Sequence, residues 1–238
     1  VGRYANHFDA ITSDAIKVDK TGQFFSNLNF ILTATFGSQY LGIMMHYREC
    51  FGDYNIDDLL VKIDNLLSST WLMGKRLPST RINIILRRID FYSNKISING
   101  LSRDKAAQMF IDDEVLKYSY EDEKSLAKPI DMKEFFKTLH EEQWGSFSGT
   151  KINKTRYLLL KLDLLRISIY DKLQFNKNRC SVEHLMPRKI SFPDWAINKD
   201  AHEKWIHRLG NLVLLDRRKN ASLSNLPFKY KKEKYKKH

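Results

Sequence analysis

Glu183 and His184 stand side by side in Cys180-Ser181-Val182-Glu183-His184-Leu185-Met186-Pro187, a short strand-like run closed by proline. A neutral imidazole, with an ordinary pKa near ~6.5, can take a proton from water at cellular pH. A carboxylate and an amide oxygen are hard donors that suit Mg²⁺ or Mn²⁺. Glu183 can supply the first and Asn220, further along the chain, the second. Each residue also has a plain structural reading: a surface acid, a satisfied core histidine, an asparagine in a turn or helix cap.

These residues need elements that hold them together. Leu209-Gly210-Asn211-Leu212-Val213-Leu214-Leu215 reads as a second strand following a glycine turn. Asp216-Arg217-Arg218-Lys219-Asn220-Ala221-Ser222 then reads as the start of a helix. The order is strand, loop, strand, helix, with the histidine on the first strand and Asn220 on the helix. Neighbouring strand side chains leave opposite faces, so Glu183 and His184 converge on one site only where the strand ends.

With that order in view, the segment resembles the HNH (ββα-metal, His-Me finger) nuclease family. Its closest resemblance is to the C-terminal domain of GmrSD-like and phosphorothioate-sensing restriction proteins. The residues that carry this are Val182-Glu183-His184-Leu185-Met186-Pro187, Trp205, His207, Leu209-Gly210-Asn211-Leu212, Asn220 and Asn225-Leu226-Pro227-Phe228. Gly149-Thr150-Lys151 through Thr155-Arg156-Tyr157-Leu158-Leu159-Leu160-Lys161-Leu162 is similar to the helical lead-in of the same proteins. The resemblance implies one-metal hydrolysis of DNA phosphodiesters, with His184 as general base and Glu183 and Asn220 on Mg²⁺ or Mn²⁺. It makes Asn211 the middle residue that orients the histidine, and leaves His207 an accessory role at the phosphate or a packing role. Two departures stand out: Glu183 where many relatives carry Asp, and Asn220 where many carry His. Cysteine pairs that staple some relatives with zinc are absent, since Cys50 and Cys180 are the only cysteines.

Charge adds a substrate argument. Residues 1–150 hold 18 Lys+Arg against 20 Asp+Glu, and residues 151–238 hold 22 against 8, so the net charges are −2 and +14. All of the excess positive charge lies in the last third, which points to a polyanion partner there. Arg217, Arg218 and Lys219 beside Asn220, with Lys229, Lys232 and Lys236 on one helical face, are the expected phosphate contacts. Lys231, Lys234 and Lys237 belong to the same basic run, which is interleaved with Tyr230 and Tyr235. A catalytically silent nucleic-acid clamp and an RNA-cleaving effector with the same motif are the rival readings.

The rest of the chain predicts a mainly α fold: a helical body over 1–175 followed by a C-terminal ββα-metal (HNH) nuclease domain over 176–238. With 42% hydrophobic and 29% charged residues, 5 Pro and 10 Gly, this is the composition of a globular protein. Residues 1–25 are weakly patterned, and Asn27 to Tyr47 reads as one buried helix. Asn55 is placed to cap the next, whose Leu59, Leu60, Ile63, Leu66 and Leu67 fall on one face. Asp131 with Glu134 resembles a capping pair, and a helix over Asn153–Leu173 carries the stripe Leu158, Leu162, Leu165, Ile169. His7, His46 and His140 stand isolated, without a carboxylate at ligand spacing. There is no apolar run of membrane-spanning length and no leader pattern, so the expected compartment is the cytoplasm. The first residue is Val1, which reads as a piece of a longer protein, and the resemblance implies a preceding sensor or NTP-using domain. Two successive nicks or an oligomer would be needed to cut both strands.

Overall fold

The computed structural model describes residues 2–13, 23–74, 79–116, 131–147, 149–167, 171–173, 175–176, 178–190, 195, 197–223 and 226–236. The chain is mostly helical with a small two-stranded sheet, and it divides into two compact units. The first is Val1–Phe136 with Ser168–Lys172; the second is Lys137–Ile167 with Leu173–His238. Among the described residues, no helix is long and apolar enough to cross a membrane.

The first unit holds α1 (Gly2–Thr12), α2 (Phe24–Phe36), α3 (Ser38–Phe51), α4 (Ile56–Leu72), α5 (Ser79–Asn99) and α6 (Arg103–Ile111). Its core is built from Ile31 and Leu32, Tyr40, Met44 and Phe51, Leu59 and Ile63, Ile85 and Ile89, and Phe110, all fully buried. The α4 stripe is buried as its spacing requires. Other expectations fail for identifiable reasons. Within the weakly patterned start, Gly2–Thr12 form a helix, α1, with Ile11 buried, and 14–22 lie outside the described residues. The single helix expected over 27–47 is two, because Gly37 takes φ +48° and breaks the run. Asn55 precedes α4 but does not cap it: its backbone is left-handed, and its side-chain amide donates instead to Asp104 at 3.2 Å. Two of the supposedly isolated histidines have carboxylate partners from other turns. His7 lies 3.0 Å from Glu49, and His46 lies 2.8 Å from Asp90.

The second unit contains the end of α7 (Met132–Glu141), α8 (Lys151–Leu164), β1 (Cys180–His184), α9 (Lys199–Trp205), β2 (Leu212–Asp216), α10 (Arg217–Leu223) and α11 (Phe228–Lys236). Asp131 does cap α7, accepting from the amides of Lys133 and Glu134. The long helix expected to Leu173 is α8, which starts at Lys151 and ends at Leu164. Its buried face is Thr155, Leu159, Leu160 and Leu164, whereas Leu162 and Leu165 are exposed. In a run of almost continuous leucine, spacing alone does not choose between two faces. Ile169, the last residue of the expected stripe, lies outside the described residues. Strands β1 and β2 pair antiparallel, with Val182 opposite Leu214 and His184 opposite Leu212. Leu209–Asn211, expected as strand, forms a 3-10 turn that leads into β2.

Candidate active site

The pleat of β1 sorts its side chains onto two faces. Val182 and His184 are buried, while Ser181 and Glu183 on the other face are half-buried. The expected convergence of Glu183 and His184 at the strand end is therefore not seen: they leave β1 on opposite faces, each with its own partners.

On the first side, His184 Nε2 lies 3.2 Å from His207 Nδ1, and the two rings meet edge to face. Phe147 packs on His184 with ring centroids 5.1 Å apart. Gly145 closes this side: its N–H donates to the His207 carbonyl at 3.0 Å, and a β-carbon there would stand 2.6 Å from His184 Nε2. The turn carrying Gly145 is anchored by its neighbours. The Trp144 indole donates to Leu139 O, and the Thr155 hydroxyl of α8 donates to Trp144 O at 2.6 Å.

Burial pushes the His184 imidazole down from 6.5 to about 4, helped by the charges of His207, Arg188 and Lys231 and opposed by the Gly145 carbonyl. Burial also lowers His207, with Arg188 adding to the effect. Both rings are therefore held neutral at physiological pH. A neutral ring keeps a lone pair, so the pair can accept a proton.

Asn211 bonds to the backbone beside both histidines. Its Oδ1 accepts from Met186 N at 2.7 Å, and its Nδ2 donates to Met186 O at 3.0 Å and Ile206 O at 2.8 Å. Leu185 N also donates to the Asn211 carbonyl. One side chain thus ties the segment just after His184 to the residue just before His207.

On the second side, Glu183 Oε1 accepts from Lys231 Nζ at 2.7 Å. Lys231 is fully buried and also donates to the His184 carbonyl at 3.0 Å. This lysine is an interior group, not one of the solvated cations of the basic run. Tyr235, one helical turn further along α11, is raised to about 12, chiefly by burial and further by Glu183. Among the described residues its buried hydroxyl has no hydrogen-bond partner. Asn220 on α10 donates from Nδ2 to Ser181 Oγ at 2.8 Å. Ser181 is two residues before Glu183, so Asn220 and Glu183 address the same face of β1.

Around these faces, Arg217, Arg218, Lys229 and Lys232 are exposed and Lys219 is half-buried. Lys236 lies in α11, with its side chain outside the described residues, and Asn225 lies outside them altogether. The 3.2 Å contact gives His207 a place beside His184 that its sequence position did not fix. Sequence reasoning missed Gly145 and the interior role of Lys231. Lys231 and Tyr235 are four apart, on the face opposite Lys229, Lys232 and Lys236, and that spacing was the available signal.

In class, the second unit is a small helical domain whose two-stranded sheet carries a neutral histidine pair on one face and an acid, a lysine and an amide on the other. Residues 133–238 match the family model described as GmrSD restriction endonucleases, C-terminal domain, and this part of the chain is similar to such a domain. No curated protein and no solved structure matches the chain.

Proposed function

We propose that the C-terminal domain is an HNH-type DNA endonuclease, the cutting part of a modification-dependent restriction protein that defends against phage. The observation that carries this reading is the neutral His184–His207 pair inside the segment that matches a restriction-endonuclease family. In hydrolysis, a water oxygen bonds to phosphorus, its proton passes to the histidine pair, the bond to the 3′ oxygen breaks, and that oxygen takes a proton from solvent. The products are 5′-phosphate and 3′-hydroxyl ends. His207 is the more exposed ring, so a proton enters there and is shared with buried His184.

In this reading the second face carries the oxygen donors for a hard ion. Glu183 and Asn220 offer oxygens on one strand face, and the orphan Tyr235 hydroxyl leaves a polar group to satisfy there. When bound by these residues, Mg²⁺ or Mn²⁺ would neutralise charge on the phosphate and the departing oxygen. Lys231 Nζ donates to Glu183 Oε1 at 2.7 Å and fixes the position of that side chain. Arg217, Arg218, Lys219, Lys229, Lys232 and Lys236 grip the phosphate backbone without reading sequence. A preceding sensor domain would supply target choice.

The test is nicking of supercoiled plasmid across a divalent-metal series. His184→Ala should abolish nicking while DNA binding stays near wild type. Nicking that survives this change rejects the assignment. A second reading is favoured by the Lys231 ammonium already on Glu183: a silent nucleic-acid clamp that needs no metal. It predicts salt-sensitive binding and no cleavage of DNA or RNA by the wild-type chain with any divalent ion.

A further inference from the structure

In the first unit, α3 and α5 bring together three side chains of a different chemical character. His46 and Cys50 are four residues apart on α3, which places them on one helical face. Asp90 comes from α5, and its Oδ1 lies 2.8 Å from His46 Nε2. One nitrogen, one sulfur and one oxygen thereby lie within 4.8 Å of one another. Bond lengths of about 2.0–2.3 Å to a tetrahedral ion would set such donors roughly 3.5 Å apart. His46 and Cys50 are only partly buried and Asp90 is exposed, so their side chains have room to turn toward a shared ion.

The surroundings are arranged for this. Tyr4 Oη lies 2.9 Å from His46 Nδ1, the ring nitrogen that faces away from the cluster. A metal at Nε2 requires the ring proton to sit on Nδ1, where the phenol oxygen accepts it. Ser93, one turn after Asp90, hydrogen-bonds the Cys50 sulfur. Glu49, next to Cys50 in sequence, is turned to Arg3 and His7 and so is already engaged.

We propose that His46, Cys50 and Asp90 form a binding site for a borderline-soft divalent ion of the zinc type, with the fourth position open to water. Sulfur and imidazole select against Mg²⁺ and Mn²⁺, so this site is chemically distinct from the oxygen donors Glu183 and Asn220. Loading is a substitution without redox change. The Cys50 thiol releases its proton to solvent, the His46 proton relocates to Nδ1, and the thiolate and carboxylate together balance the ion's charge. The ion would join α3 to α5.

Titration of the reduced chain with Co²⁺ tests this, reading the thiolate-to-cobalt absorption in the near ultraviolet. One equivalent should develop that absorption. It should vanish in Cys50→Ser and persist in Cys180→Ser and Glu183→Gln. His46→Ala and Asp90→Asn should weaken binding at least tenfold, and Tyr4→Phe by about tenfold. Asp90 and Tyr4 are exposed, so those two variants keep the fold and keep the test valid if Cys50→Ser does not. The proposal is overturned by absence of the absorption in the wild-type chain, by its survival in Cys50→Ser, or by unchanged affinity in Asp90→Asn.

Discussion

Gly145 is the position where a single methyl group probes the histidine pair. A β-carbon there would lie 2.6 Å from His184 Nε2, 3.0 Å from His207 Nδ1 and 3.1 Å from the His207 Cα. Ordinary contact begins at 3.4 Å, so Gly145→Ala demands a displacement of about 0.8 Å (3.4 − 2.6) at the nearest atom. No single flexible side chain can absorb it, since one of the three contacts is backbone and His184 is packed against Phe147. Overpacking of this kind costs about 1–3 kcal/mol. A misplacement near 1 Å at reacting groups costs about 10²-fold in rate. Plasmid nicking by Gly145→Ala should therefore fall about 10²-fold, in protein that urea unfolding shows to be still folded. Gly210→Ala is the control, because nothing lies within 4 Å of its added carbon. Wild-type nicking by a folded Gly145→Ala variant would refute the claim that the close approach of these rings serves the reaction.

Four further outcomes are expected. His184 is held neutral, so its contribution to stability is whole above pH ~6.5 and fades as pH falls toward 4; the drop from 6.5 to about 4 corresponds to roughly 3 kcal/mol. Urea unfolding at pH 7 and pH 4.5 should show a larger acid loss in wild type than in His184→Gln. Asn211→Ala, which frees Met186 and Ile206 backbone groups, should cost about 1–3 kcal/mol in unfolding and lower kcat rather than raise KM. Lys231→Met leaves Glu183 without its cation and should cost about 3 kcal/mol, much of it recovered in the double variant with Glu183→Met. Arg218→Ala, at an exposed position, should leave the unfolding midpoint unchanged and flatten the dependence of DNA affinity on salt by about 0.9 in log–log slope.

The sequence made some of this legible and hid the rest for physical reasons. The α4 stripe and the strand–strand–helix order around His184 could be read because each depends on local spacing. Asn211 could be given a positioning role because the Leu-Gly-Asn-Leu context ties it to a known motif, and the structure gives it three side-chain hydrogen bonds. The break at Gly37 was ambiguous, since glycine is tolerated within helices as well as between them. The buried face of α8 was misread because leucines flank both candidates. Gly145 and Thr155 come from 39 and 29 residues before His184, and no local pattern announces that they meet the site. The pairs His7–Glu49 and His46–Asp90 escaped notice for the same reason, as each joins two helices.

A lysine-rich terminus is ordinarily a detachable appendage, whose charges can be stripped one by one with only solubility or adhesion at stake. Here Lys231 is a keystone instead: from the last described helix it reaches both a side chain and the main chain of β1. Wholesale neutralisation of the tail would thus confuse loss of grip on a polyanion with loosening of the strand that bears the histidine. The two roles come apart only residue by residue.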